Sequence, residues 1–119
     1  MSAAGRRYEL RMRSLSVANR RRVEVAEVRR RLRADPRLLR EVLLDPPRCL
    51  DGMPVIDVIV LARSGRRTSA RLMHWIGGRA LADRVNVLVP IERASRRTRE
   101  WAARHALMMV RRTSEETTR

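Results

Sequence analysis

The sequence predicts a small all-α domain. Two observations carry this reading: apolar residues recur at helical spacings in segment after segment, and capping or breaking residues bound those segments. At 119 residues the chain is about the size of one domain and buries one modest core. The expected organisation is a flexible basic tail over residues 1–13, a single helical domain over 14–112 and a flexible tail over 113–119.

Residues 1–13 are polar, basic and unpatterned. From Ser14 the pattern turns helical, with Val25, Val28 and Leu32 at i, i+3 and i+7 and arginines on the other faces. Glu24 and Glu27 stand within one turn of following arginines. Asp35-Pro36 marks a boundary, since aspartate suits an N-cap and proline the first helical position. Leu38, Leu39, Val42 and Leu43 form the next apolar stripe, which Asp45-Pro46-Pro47 ends. Val55–Leu61 is ambiguous alone: its β-branched residues favour a strand, while Asp51 and Pro54 favour a helix start.

Thr68 or Ser69 caps a further predicted helix whose apolar side is Leu72, Met73 and Ile76 and whose end is Gly77-Gly78. Residues 79–90 read as a connector. Pro90 opens the last helix, with Glu92 near its positive end and Ala94, Trp101 and Met108 toward the core. Arg93, Arg96, Arg97, Arg99 and Arg104 face outward.

The charge balance constrains function. There are 28 basic and 13 acidic residues, a net charge of +15, and every basic residue is arginine. A GC-rich genome explains the choice of arginine over lysine but not the imbalance. Such a charge destabilises a compact chain by self-repulsion unless a polyanion is near, and arginine grips phosphate with two donors. Rings are scarce (Tyr8, Trp75, Trp101), which weakens readings based on base stacking. The single cysteine, Cys49, forbids an internal disulfide, fits a reducing cytoplasm and reads as an apolar filler. The longest apolar run, Val55 to Ala62, contains Asp57 and is far too short to span a bilayer. Met1 to Arg13 lacks the apolar centre of a signal peptide.

The candidate site is the turn Arg63-Ser64-Gly65-Arg66-Arg67-Thr68. A glycine there allows a tight reversal, and the next helix would present free N–H groups. Helix N-termini bind anions. Arg63, Arg66, Arg67 and Arg71 surround the point, and no acidic residue occurs from 63 to 79. Phosphate is the natural ligand; an ordinary interhelical turn with solvated arginines is the alternative. His74 and His105 lack metal-ligand spacing, the carboxylates show no catalytic pairing, and no nucleotide-binding glycine motif occurs. No enzyme, metal or cofactor is predicted.

Ala26-Glu27-Val28-Arg29-Arg30-Arg31-Leu32, followed by Leu39-Arg40-Glu41-Val42-Leu43, resembles the first two helices of the actinobacterial integration host factor family. Gly52-Met53, Val55, Leu61, Gly65-Arg66, Met73, Gly77 and Arg84-Val85 continue the register, so the resemblance covers roughly residues 25–95. It implies an all-helical fold with a long N-terminal helix and a helix–two-turns–helix element, binding duplex DNA largely without sequence specificity. On that comparison Val55–Leu61 is helical, Gly65 and Arg66 fall in the family's Gly-Val-Gly-Lys turn, Arg71 falls on a polar helix position, and Arg84 falls in its basic loop. The chain departs from the family in a turn one residue shorter, with Arg63 near the first glycine's place. A second departure is Asn86-Val87-Leu88-Val89, where the family has Arg-Gly-Leu-Gly.

The expected function is therefore that of an architectural, nucleoid-associated protein of the cytoplasm. Its predicted duplex-DNA contacts are Arg63, Ser64, Gly65, Arg66, Arg67, Thr68, Arg71, Arg84 and Arg93. RNA or ribosome association and a protein–protein adaptor role are the rivals, and the sequence leaves monomer and dimer both open.

Overall fold

The structure, a computed structural model, describes residues 2–63 and 65–118. Five helices form the chain: α1 (Ala3–Ala34), α2 (Leu39–Leu44), α3 (Val55–Val60), α4 (Arg66–Ala82) and α5 (Arg96–Thr118). Short 3₁₀ turns at Pro36–Leu38, Arg48–Leu50 and Ile91–Arg93 link them. Among the described residues there is no strand, only an isolated bridge between Pro54 and Pro90.

Helix α1 begins eleven residues before Ser14, where an unpatterned tail was expected. The Ser2 hydroxyl accepts from the Gly5 N–H at 3.2 Å, and most of residues 3–13 are good helix formers. A helix nucleated elsewhere needs no apolar face to continue. Periodicity reports only faces that pack, and among the described residues this half buries no apolar side chain: Tyr8 and Leu15 are exposed on one side, Leu10 and Val17 on the other. The C-terminal half carries a packing face, with Val25 and Val28 half-buried and Leu32 fully buried. Arg21 fastens it by donating to the carbonyls of Cys49 and Asp51. Glu27 pairs with Arg30 at 2.6 Å and Arg31 at 3.2 Å, as the spacing predicted.

The Asp35 side chain accepts from the Arg37 N–H at 3.2 Å and starts the turn into α2. Buried Leu39 and Leu43 lay α2 against α5, and the prolines after Asp45 stop it. The ambiguous segment is helical. Its first N–H groups are taken by Val89 and Val87 carbonyls, at 3.0 Å from Val55 and 2.9 Å from Ile56. Val55, Val58 and Ile59 are fully buried, and α3 touches α2, α4 and α5.

Two helix boundaries differ from expectation. Helix α4 runs straight through Gly77-Gly78 to Ala82. Two interior glycines cost about 1 kcal/mol each relative to alanine, which packing of Leu72, Ile76 and Ala80 offsets. The chain instead turns out of the helix at Arg84, two residues past its end, where φ is positive. Helix α5 starts at Arg96, not Pro90, because the Ser95 hydroxyl accepts the Thr98 N–H at 3.1 Å. Glu92 lies outside that helix and accepts from the Gly52 N–H at 2.7 Å. The predicted C-terminal tail continues α5 to Thr118. The buried Thr113 hydroxyl returns to the Met109 carbonyl at 2.6 Å. Met73 and Met108 are exposed rather than core, while Met109 and Val110 supply the inward face of α5.

Candidate nucleic-acid interface

The turn between α3 and α4 is built from both sides. Arg63 donates its N–H to the Val60 carbonyl at 2.9 Å, closing α3, and Gly65 adopts φ +89° to start α4. That dihedral strains any residue with a Cβ. The Arg33 guanidinium donates to the Arg63 carbonyl at 3.3 Å, tying the end of α1 to the turn. Ser64 lies outside the described residues, as does the Arg66 side chain. Gly65 caps α4 without a side chain, so the first-turn N–H groups have no intrahelical acceptor.

Arg67 and Arg71 are exposed one turn apart on α4. Arg63 is half-buried, with its Nε buried and unpartnered among the described residues. Thr68 differs from expectation: it is only 9% exposed and so is buried rather than a surface donor.

Arg84 and Arg93 are not part of this cluster. Arg84 follows the far end of α4, about 25 Å from Arg67 at the usual helical rise. Arg93 is exposed in the 3₁₀ turn near the start of α3. Arg84 is notable for its backbone. With φ +56° it occupies the left-handed position of a helix-ending motif: the Val85 N–H reaches the Ala80 carbonyl at 2.8 Å, and its own N–H reaches Leu81 at 3.2 Å. Glycine is the favoured residue there. Arg84→Gly should therefore raise stability by about 1 kcal/mol. If Arg84 contacts phosphate, the same change lowers duplex affinity and the salt slope by about one unit. Thermal melting and a salt-dependent titration of the variant read both; a higher Tm with unchanged affinity removes Arg84 from the interface.

The sequence reading missed a groove between α2 and α5. Arg37, Arg40, Arg99, Arg104, Arg111 and Arg112 line its length. Arg37 and Arg40 at i, i+3, and Arg104 and Arg111 at i, i+7, were the available signal; only the packing of α2 on α5 reveals that they share a groove.

The acidic side chains near these arginines are already engaged. Hydrogen bonds from Arg30 and Arg31 hold the Glu27 carboxyl below its ordinary pKa, and the Arg37 side chain does the same for Asp35. The Trp101 indole N–H donates to Asp83 at 2.8 Å and, with Arg79, holds that carboxyl low. The Gly52 N–H holds Glu92 low. Buried Cys49 has its thiol pushed up by desolvation, which makes it a poor nucleophile. Among the described residues no group of three or more His, Cys, Asp or Glu side chains is placed to hold a metal ion, and no helix is long and apolar enough to cross a membrane.

Comparison with protein-family models, with curated proteins and with solved structures gives no match for this chain.

Proposed function

We propose that the chain is an architectural protein that binds duplex DNA through its phosphates and acts at the nucleoid in the cytoplasm. One observation carries the reading: residues 58–82, which span the α3–α4 turn and the whole of α4, contain five arginines and no acidic residue. Arg67 and Arg71 stand exposed at the N-terminal end of that helix, where its dipole and the N–H groups that lack an intrahelical acceptor add to their charge. Phosphate contacts fix a protein on a duplex without reading its sequence. Arg84, about 25 Å away, is within one helical repeat of duplex, roughly 34 Å, so one molecule reaches phosphates at both ends of α4. The resemblance to the actinobacterial integration host factor family points the same way. The role is binding, not catalysis, and uses no cofactor.

Arg66→Ala combined with Arg67→Ala should weaken duplex binding to the same degree on unrelated sequences and make the salt slope shallower by about two units. Fluorescence anisotropy of a labelled duplex at several salt concentrations, with an unlabelled RNA hairpin as competitor, measures this. Unchanged affinity with the fold intact removes the turn from the interface, and ready displacement by the hairpin reassigns the protein to RNA.

A further inference from the structure

The two tryptophans have opposite roles. Trp101 is buried, its N–H is held by Asp83 at 2.8 Å, and its ring lies 5.2 Å from that of His105. It locks α4 to α5. Trp75 is 37% exposed in a cleft between the same two helices. The Arg112 guanidinium stands 5.3 Å from its ring centroid.

The walls of that cleft are the side chains of His74, Arg79, Met108 and Arg112, with Gly78 in its floor. Gly78 is the informative residue. It has ordinary helical φ, and a Cβ placed on it meets nothing within 4 Å. Neither backbone geometry nor packing asks for glycine there, although glycine is among the poorest helix formers. What its missing side chain does provide is open space one turn from Trp75. Arg67, Arg71, Trp75 and Gly78 follow one another at i, i+4, i+8 and i+11, so the cleft continues the arginine stripe that begins at the turn.

Resting on the phosphate-binding reading above, we propose that this cleft takes an unpaired nucleotide of a DNA strand that continues from a bound duplex. Its base stacks on Trp75 and its phosphate pairs with arginine. Arg112 covers the ring in the free chain, but an exposed cation–π contact is weaker than stacking of a base on an aromatic side chain. The base therefore displaces the guanidinium, which then reaches the phosphate. Arg67 and Trp75 are eight residues apart, about 12 Å along α4. A strand anchored at the turn thus needs only a short single-stranded extension to reach the ring.

The test compares blunt duplex with duplexes carrying a four-thymidine overhang at either the 5′ or the 3′ end, using the full chain. The overhang is expected to quench tryptophan emission and tighten binding by about tenfold over blunt duplex. Trp75→Leu should erase both effects and leave blunt-duplex affinity within about twofold, with buried Trp101 reporting an intact fold. Gly78→Leu, which fills the cleft while favouring the helix, should erase the tenfold gain without lowering the Tm. Equal binding of blunt and overhang duplexes by the unmodified chain, without quenching, overturns the cleft assignment and leaves the phosphate reading standing. Equal loss on both duplexes in Trp75→Leu also overturns it. Binding to neither duplex removes both readings.

Discussion

Ile59→Ala should cost about 2–5 kcal/mol of unfolding free energy and lower the Tm by roughly 10 °C or more. Ile59 is fully buried in a helix of only six residues that touches α2, α4 and α5. Truncation removes three methyl or methylene groups and leaves a void that three helices must relax around together. Small domains hold only about 5–15 kcal/mol in total, and this one also carries the self-repulsion of a +15 charge. The control is Leu10→Ala in the free half of α1. Leu10 is 62% exposed, so the change should stay within about 0.5 kcal/mol. Denaturant melts of both variants decide the matter. Similar losses from the two would mean that the free half of α1 packs on something in solution.

The second large effect is on binding. If Arg63, Arg66, Arg67, Arg71 and Arg84 each neutralise one phosphate, log affinity should fall against log salt with a slope of about −4.5. Between 50 and 200 mM salt this is a loss of roughly 500-fold. Use of the α2–α5 groove as well would steepen the slope further. The engaged carboxylates at Glu27, Asp35, Asp83 and Glu92 stay ionised at neutral pH, so they offer the arginines no additional neutralisation between pH 6 and 8. A nearly flat salt response would exclude phosphate contacts as the basis of binding and favour a protein partner.

Capping and packing explain what the sequence disclosed and what it hid. The stop at Asp45-Pro46-Pro47 and the core positions Leu32, Leu39, Leu43, Leu72 and Ile76 were legible because each leaves a local signature, whereas the helical state of Val55–Leu61, and with it the all-α class, was implied only by the resemblance. The first eleven residues of α1 leave none, since a solvated helix needs propensity but no apolar stripe. Gly77-Gly78 suggested a helix end through a rule that packing overrode. The true end was hidden because arginine, not glycine, occupies the left-handed position. Within the candidate site, the glycine turn and its arginines were visible as composition. The inward placement of Thr68, the distance of Arg84 from the turn and the arginine groove along α5 are tertiary facts with no local signature. The likeness of Trp75 and Trp101 as letters concealed that one is a buried structural tie and the other a partly exposed ring beneath Arg112.

The unsupported half of α1 also changes how the molecule behaves hydrodynamically. Its principal extents are 60 × 32 × 22 Å and its radius of gyration is 17.1 Å, whereas a compact chain of this length has one of about 13.5 Å. A compact protein needs roughly 220 residues to reach the same radius. A single copy therefore elutes from a sizing column close to where a globular dimer does, and only a mass obtained from scattered intensity or sedimentation equilibrium distinguishes one chain from two.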